Sequence, residues 1–203
     1  MTGATPAQRP AGRPRSQEAD TAILTAALDL LIELGAAQTS IEQVARRAGV
    51  TRATVYRRFA DKTELLVRAL EWANHDHDPD FTGWRDLDHM FGDWAEHLAD
   101  PRNRRLLRRL YGSVDDYPEL ITTYRSVNGG RRAALVREML TRTRDLGLLP
   151  PDIDVDVVSE LLSGAVLNHL GTHRDGESAE TVKRYFMEIM RQLGHRPPVT
   201  RKR

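Results

Sequence analysis

Apolar residues recur every three or four positions along most of the chain, a spacing that predicts amphipathic helices. The first such stripe runs from about Ser16 to Leu34, and Gly35 follows it as a helix stop. We expect this helix to be the packing platform for the short segments that follow. Its apolar members are Ala19, Ala22, Ile23, Ala26, Ala27, Leu30, Leu31 and Leu34.

The second half of the chain has the same helical spacing. Asn128-Gly129-Gly130 lies inside the longest of its predicted helices, and each glycine weakens a helix by about 1 kcal/mol relative to alanine. We therefore expect a kink or break there, which suits either ligand access at a cavity or close packing of another helix. The helices predicted beyond Phe81 cover about 84–98, 102–114, 118–146, 152–173 and 178–193.

A short helix is predicted soon after the first one. Thr39 and Glu42, three residues apart, form a capping box, so this helix should begin at about Ser40. Its apolar face ends at Gly49, because glycine accepts the left-handed conformation of a helix stop. That face consists of Ile41, Val44, Ala45 and Ala48.

A second short helix follows the turn at Gly49. Thr51 can cap it, and it should continue through Phe59. Asp61 with Glu64 is another capping box, so a further helix should open there. Two short helices joined by a glycine turn indicate a helix-turn-helix, whose second helix enters the major groove of DNA.

The second short helix carries side chains that suit DNA recognition. Arginine can bind guanine through two hydrogen bonds, threonine can touch a thymine methyl group, and tyrosine and lysine can hold phosphates. From Glu42 to Lys62 there are six basic and two acidic residues, a net charge of +4, whereas the whole chain carries +1. This concentration of positive charge is typical of nucleic-acid binding. The alternative interpretation is an ordinary helical hairpin with a solvated basic face.

The segment from Thr39 to Leu66 resembles the DNA-binding domain of TetR/AcrR-type transcriptional repressors, with the spacing of its motifs intact. The resemblance implies that the threonine, tyrosine and lysine positions hold phosphates. The chain departs from the family at Arg58 and Ala60, where the family often has an aromatic residue or histidine, and a proline. Arg58 could therefore add a phosphate contact. The implied DNA-binding residues are Thr39, Thr51, Arg52, Thr54, Tyr56, Arg57 and Lys62.

The resemblance also implies an all-α fold with two parts. These are an N-terminal three-helix helix-turn-helix DNA-binding domain and a C-terminal helical domain for ligand binding and dimerisation. The helix from Asp61 to about His75 would act as a lever between them. The final two helices would form a dimer interface, and paired helix-turn-helix units suit a palindromic operator on double-stranded DNA. The interface candidates are Leu161, Gly164, Ala165, Tyr185, Phe186 and Ile189.

A small, apolar effector is the expected ligand, since helical bundles bind such molecules between their helices. Its binding would favour a conformation with misplaced DNA-binding helices and so release the DNA. Aromatic and polar residues line pockets of this kind, although they also build ordinary cores. The pocket candidates are Trp84, Phe91, Trp94, Tyr111, Tyr124 and Asn168.

The composition and the missing sequence motifs exclude several classes of protein. The chain has no cysteine, which excludes disulfides and fits a cytoplasmic protein. It has no apolar run of about 18 residues, so we expect no membrane span. The GxSxG, HExxH and phosphate-loop motifs are missing, so we expect neither an enzyme nor a cofactor. The alternative function is a DNA-binding or partner-binding regulator without a small-molecule effector.

Three polar clusters have alternative interpretations. Histidines and carboxylates at 74–80 could bind a metal, but asparagine, aspartate and proline there favour a loop. His169 and His173 share a helix face, and without a carboxylate on that turn we interpret them as polar interface residues rather than metal ligands. Five arginines at 102–109 could bind DNA or an anion. We interpret them as a solvated face paired with nearby acids.

The predicted divisions of the chain follow from these patterns. The N-terminal segment is rich in proline and glycine, and its arginines could either reach the minor groove or belong to a flexible tail. The divisions are a disordered basic arm at 1–15, the DNA-binding domain at 16–62, the regulatory and dimerisation domain at 63–194, and a disordered tail at 195–203.

Overall fold

The computed structural model describes residues 14–75 and 83–197. Within these ranges the chain forms nine α-helices and no strand, which confirms the predicted all-α fold. None of these helices is long and apolar enough to cross a membrane. The helices are α1 (Pro14–Leu34), α2 (Ile41–Arg47), α3 (Arg52–Tyr56), α4 (Lys62–His75), α5 (Leu87–Ala99), α6 (Pro101–Tyr111), α7 (Pro118–Asp145), α8 (Val155–Thr172) and α9 (Ala179–Gln192).

α2 starts from a capping box one residue later than predicted. The Ser40 hydroxyl accepts the Gln43 amide at 3.2 Å, and the Gln43 side chain accepts the Ser40 amide at 2.8 Å. Thr39 does not cap the helix, because its hydroxyl turns inward and donates to the Gly35 carbonyl at 2.8 Å. Gly49 has a φ of 67°, the left-handed conformation that the predicted turn requires.

α3 is capped by Thr51 as predicted, through a hydrogen bond from the Thr54 amide at 3.2 Å. It is shorter than predicted and ends before Phe59, whose ring is nevertheless buried. α4 opens where expected, since the Asp61 carboxylate accepts the Glu64 amide at 2.8 Å. The two short helices and the helix after them are therefore set by side-chain caps, the strongest local signals in the sequence.

The first buried core joins α1 to α2, α3 and α4. α6 and α7 also contribute to it, so the helix-turn-helix does not have a core of its own. α4 packs against α1 on one side and against α7 on the other. Fully buried members of this core are Ile23, Ala27, Leu31, Val44, Val55, Leu66, Ala69, Leu110 and Leu120.

The second core lies among α5, α7, α8 and α9. The rings of Phe91 and Phe186 stack with centroids 5.6 Å apart, and Trp94 meets both edge-on. Burial of each such side chain contributes about 1.5–3 kcal/mol. Phe186 was expected at a dimer interface, but it is 0% exposed in the core of its own chain.

A kink or break was predicted in the long helix, and the break is wrong. α7 remains helical over its 28 residues, through Gly129 and Gly130. Both of its ends are anchored by burial, which is worth about 1.5–3 kcal/mol for each large apolar side chain and so exceeds the helix weakening by the glycines. The anchoring residues are Leu120 and Ile121 in the first core, and Val136, Met139 and Leu140 in the second.

Four of the five arginines of α6 bind partners in other elements, so their interpretation as a solvated face holds only in part: Arg105 is exposed, whereas Arg104 is buried. Arg104 is 1% exposed and has partners in α5, in α8 and in the loop after α8. Arg102 forms an ion pair with Asp29, and Arg109 donates to the Glu33 carbonyl at 2.9 Å. α6 therefore ties α1 to the second core, through partners too distant in sequence for local spacing to reveal.

The chain stays packed beyond the end of α9. His195 is 7% exposed, and the Arg196 amide donates to the Leu148 carbonyl at 2.9 Å. Residues 195 and 196, which were predicted to belong to a disordered tail, are therefore packed against the rest of the chain. Residues 1–13, 76–82 and 198–203 lie outside the described residues, and with them most of the predicted basic arm and of the histidine-rich segment.

Candidate nucleic-acid interface

α3 has one buried side and one exposed side. Val55 is 0% exposed and anchors the helix in the first core. Arg52, Tyr56 and Arg57 are exposed, and 57% of Tyr56 is accessible to solvent. The packing therefore presents a rigid row of polar and aromatic side chains to a partner.

Thr51 and Thr54 complete this surface at the first turn of α3. Their hydroxyl oxygens lie 2.9 Å apart, and the Thr51 hydroxyl also accepts the Thr54 amide. Thr51 thus fixes the start of the helix as well as lying on its exposed side. Five of the seven predicted DNA-binding residues are brought together here: Thr51, Arg52, Thr54, Tyr56 and Arg57.

Arg52 is an exposed cation with only a weak partner. Its guanidinium group lies 3.5 Å from the Glu42 carboxylate, and about two thirds of both side chains is exposed. Exposed ion pairs contribute about 0–1 kcal/mol, so Arg52 can leave Glu42 at little expense of free energy. Arg46 and Arg57 are also exposed, and no carboxylate in the described part of the chain pairs with them.

Two other arginines of this segment are bound to α1. Arg58 pairs with Asp20, donates to the Thr54 carbonyl at 3.0 Å, and has only 18% of its side chain exposed. Arg47 forms two hydrogen bonds with the Glu33 carboxylate, at 2.9 and 2.7 Å, and these hold the pKa of Glu33 below its usual value. The exposed positive charge is therefore smaller than the sequence count, and it is concentrated on α3.

Thr39 and Lys62, which were expected to hold phosphates, face the protein in this structure. The Lys62 ammonium donates to the Ala36 carbonyl at 2.9 Å and to the Tyr117 hydroxyl at 2.9 Å. It also lies 4.9 Å from the centroid of the Tyr117 ring. A phosphate contact by either residue stays a prediction that requires its side chain to turn outward.

A cavity of about 480 Å³ between α5, α6, α7 and α8 is a second candidate site. Trp84 and Phe91 belong to the second core instead of this cavity. Asn168 is exposed, and its amide donates to the Tyr185 hydroxyl at 3.3 Å. The predicted pocket residues that line the cavity are Trp94, Tyr111 and Tyr124.

Two arginines that the sequence pattern did not single out also line the cavity. Arg125 and Arg132 lie seven residues apart on α7, two helical turns, and therefore on nearly the same face. Ser159 and Ser163 of α8 contribute hydroxyl groups. Both arginines lie beside the segment where a helix break was expected, so the pattern of the sequence directed attention to the glycines instead.

Arg104 links α6 to α8 and to the loop after it. Its Nη1 lies 3.0 Å from His169 Nδ1 and 3.2 Å from the Leu98 carbonyl, and its Nε lies 2.9 Å from the Asp175 carboxylate. Because a guanidinium group only donates, His169 Nδ1 accepts and the imidazole proton is on Nε2. That nitrogen lies 3.3 Å from the Glu177 carboxylate.

His169, His173 and Glu177 offer three possible metal-ligand atoms within 4.8 Å of one another. The carboxylate that seemed missing from this turn comes from the following loop. However, the contact with Arg104 leaves the proton on the nitrogen that would bind the metal. The two imidazole rings also stack nearly in parallel, with centroids 4.2 Å apart, so their in-plane lone pairs do not converge. We interpret the group as a structural cluster in which the hydrogen bond between Arg104 and His169 joins α6 to α8.

This cluster predicts that the fold is less stable in mild acid. Burial lowers the pKa of His169, and the charges of His173 and Arg104 lower it further; burial also lowers the pKa of His195. The unfolded chain therefore takes up protons first. Stability should be complete above the unfolded pKa of about 6.5 and fall as the pH drops through that value.

Thermal melting between about pH 8 and pH 5 measures this effect. The melting temperature of the wild type should fall below about pH 6.5, and His169→Gln should show a smaller fall over the same range. The His195→Gln variant serves as a comparison for the other buried histidine. An unchanged pH slope in both variants would contradict the assignment.

α3 has an exposed face, packs on the first core and is attached to a larger helical body. This arrangement is that of a helix-turn-helix DNA-binding regulator. Two family models match the sequence: bacterial regulatory proteins of the tetR family over residues 23–69, and the tetracyclin repressor-like C-terminal domain over residues 82–189. The chain belongs to the TetR family of transcriptional regulators, as the sequence motifs predicted.

Proteins with similar sequences or structures are regulators of the same kind. An uncharacterised HTH-type transcriptional regulator, YdeS of Bacillus subtilis, is 26% identical over 162 residues, which cover 78% of this chain and 81% of YdeS. SrpR of Pseudomonas putida, also an HTH-type transcriptional regulator, is 24% identical, and the aligned region covers 83% of this chain and 82% of SrpR. NalD, the secondary repressor of an efflux pump in Pseudomonas aeruginosa, is 25% identical in sequence. Its crystal structure matches with a TM-score of 0.62, and the match covers 89% of this chain and 98% of NalD. These relatives are transcriptional regulators and not enzymes.

Proposed function

We propose that this protein is a homodimeric, cytoplasmic repressor that binds a palindromic operator and releases it when a small molecule binds. The observation that supports DNA binding most strongly is the exposure of Arg52, Tyr56 and Arg57 on a short helix that Val55 anchors in the first core. NalD is a repressor, and this similarity favours repression over activation.

The side chains of α3 divide into two proposed roles. Arg52 and Thr54, at the start of the helix, are proposed to contact base edges, because arginine pairs with guanine and a threonine methyl packs on thymine. Tyr56 and Arg57 are proposed to hold phosphates, together with Thr51 at the cap. Such phosphate contacts fix the position of the helix but do not select a sequence.

The surface of α8 supports the proposed dimer. Val158 and Leu162 are buried in the second core, while Val157 and Leu161 are 51% and 52% exposed on another side of the helix. Val157 and Leu161 are four residues apart and therefore share one face, which forms an exposed apolar stripe of the kind found at protein interfaces. The position of Gly164 is open and lets a second helix approach closely. The other candidates, Ala165, Tyr185 and Ile189, are partly buried.

Leu161→Glu is expected to convert the dimer into monomers. Two carboxylates would enter an apolar interface, and each uncompensated buried charge costs several kcal/mol, so the dimer dissociation constant should rise by about 100-fold or more. Sedimentation velocity over a range of protein concentrations measures this constant.

Leu146→Glu is the matched control, because Leu146 is 67% exposed at the end of α7 and not on α8. It should leave the dimer unchanged. A Leu161→Glu variant that remains dimeric to the same extent as the wild type would contradict the proposed interface.

A path of contacts supports coupling between the cavity and α3. Tyr124 of α7 lines the cavity. Tyr117, at the start of the same helix, accepts a hydrogen bond from Lys62, which in turn donates to Ala36 in the turn before α2. A shift of the continuous α7 would therefore move the turn that positions α2 and α3. Coupling free energies of this kind are about 1–3 kcal/mol.

Selection of bound fragments from a random duplex library by the full chain tests the proposal. Enrichment of an inverted repeat is expected, and a chain that enriches no sequence would overturn operator binding. The enriched duplex then serves in release assays with a panel of small molecules. If no compound releases it, the second candidate function, a DNA-binding regulator without an effector, replaces the ligand-responsive one.

A further inference from the structure

The cavity between α5 and α8 has an apolar and aromatic interior. Leu98, Leu107, Val136 and Val166 form its aliphatic walls, and Trp94 contributes an aromatic face. Its volume of about 480 Å³ is within the range of sites that bind small organic molecules. The interior is therefore suited to the hydrocarbon or aryl part of a ligand.

The charged groups of the cavity have one sign. Arg125 and Arg132 line it and are exposed to solvent, and none of the lining residues that the structure describes carries a carboxylate. Neither guanidinium group forms an ion pair with an acid in residues 14–75 or 83–197. Ten of the other arginines in these ranges do form such pairs, for example Arg137 with Asp156. The two cations are thus available for an anion.

The arginines are held beside phenol groups. The Arg125 guanidinium carbon lies 5.7 Å from the centroid of the Tyr111 ring. Burial raises the pKa of Tyr124, and the charge of Arg132 opposes this with a smaller effect. Tyr124 therefore keeps its proton at neutral pH and can donate a hydrogen bond to an acceptor in the cavity.

The spacing of the two arginines suits one head group. Seven residues along α7 correspond to about 10 Å of helix axis. Two long, flexible side chains that start this far apart can both reach an oxygen-bearing group placed between them. A cationic head group would instead meet two like charges, and an uncharged one would leave both without a partner.

We propose that this cavity binds an amphipathic organic anion, with an apolar body among the aromatic and aliphatic walls and a carboxylate head group held by Arg125 and Arg132. The proposal rests on the proposed ligand-responsive function and names the chemical class of its effector. It also replaces the small, apolar molecule that the sequence alone led us to expect.

Matched pairs of acid and amide probes test the head group. Decanoate with decanamide, and phenylbutyrate with phenylbutyramide, have nearly the same shape and differ in charge. Titration calorimetry and release of the selected operator duplex are measured with the full chain. Each acid should bind about 10-fold more tightly than its amide, since hydrogen bonds to charged groups contribute more than neutral ones. Added salt should weaken binding of the acids only.

Arg125→Met and Arg132→Met identify the groups that hold the carboxylate. Methionine keeps much of the side-chain length, so each variant should lose about 10-fold in acid affinity and little in amide affinity. Arg144→Met is the control on the same helix, because Arg144 does not line the cavity and lies beside Asp145. It should bind all four probes like the wild type.

The possible results distinguish failure of the anion preference from failure of ligand-responsive DNA release. If the amides, or a decyltrimethylammonium probe, bind and release DNA as well as the acids do, the anion preference is overturned while ligand-responsive release remains. Equal losses for acid and amide in the arginine variants would also overturn it. If no probe binds while the operator is still bound, the anion preference and the use of this cavity by an effector both fail.

Discussion

Arg52→Ala is expected to abolish most of the sequence preference of DNA binding. A good bidentate contact to a base is worth about 1–3 kcal/mol, and a dimer would lose two of them, or about 2–6 kcal/mol on the selected operator. The guanidinium group is about two thirds exposed and only weakly paired with Glu42, so little of the loss should come from stability. Fluorescence anisotropy with the selected duplex and with a scrambled duplex measures both affinities.

Two further variants separate base reading from charge. Arg52→Lys keeps the positive charge but lacks the planar fork, so it should retain affinity for the scrambled duplex and lose preference for the operator. Arg144→Ala removes one positive charge from the far end of α7 and should change neither affinity appreciably. Equal loss on both duplexes by Arg52→Ala would assign Arg52 to a phosphate instead.

Arg104→Met is expected to lower the free energy of unfolding by about 3–5 kcal/mol, the usual result of removing one partner from a buried polar cluster. Its guanidinium group is 1% exposed and serves His169, Asp175 and the Leu98 carbonyl. The substitution leaves a buried carbonyl and a buried imidazole nitrogen without a donor. Urea denaturation at a fixed protein concentration measures the change, because the proposed dimerisation would make stability concentration-dependent.

Arg108→Met is the matched control on the same helix. Arg108 binds the same Asp175 carboxylate but has 35% of its side chain exposed, so water can replace much of what is lost. We expect a decrease of about 1 kcal/mol, in the range of ordinary hydrogen bonds. If Arg104→Met were no more destabilising than Arg108→Met, the cluster around His169 would not be holding α6 against α8.

Local signals explain why the helix-turn-helix could be predicted from the sequence. Caps at Thr51 and Asp61 and the left-handed glycine at Gly49 act within three or four residues, and the structure has each of them. The start of α2 was displaced because Thr39 and Ser40 are both able to cap. Only the fold shows that the Thr39 hydroxyl is used by the Gly35 carbonyl.

Signals that depend on distant partners were not predictable. Arg104 resembles its neighbours on α6, and only the return of α8 beside it makes it a buried link. Phe91 and Trp94 both have apolar surroundings in the sequence, yet only Trp94 lines the cavity. The charge of the cavity could not be anticipated either, because it depends on where α7 passes α5 and α8.

The resemblance of the segment from Thr39 to Leu66 to the TetR family implied seven DNA-binding residues. The structure divides these residues into two groups. Five lie on the exposed side of α3, whereas Thr39 and Lys62 are engaged inside the protein. Lys62 thereby joins the turn before α2 to the start of α7 through Tyr117. Lys62, which was expected to touch DNA, is thus also placed to transmit the proposed shift of α7 to the turn before α2.

Directed cleavage from α3 tests insertion of this helix into DNA most directly. The sequence has no cysteine, so Ala53→Cys, on the exposed side of α3, provides a single thiol for an iron chelate. Leu146→Cys is the control, since α7 is 28 residues long and places it about 40 Å from Tyr117. Insertion of α3 predicts cuts from position 53 at two sites related by the symmetry of the operator, and no cuts from position 146. Cleavage from position 146 but not from position 53 would contradict it.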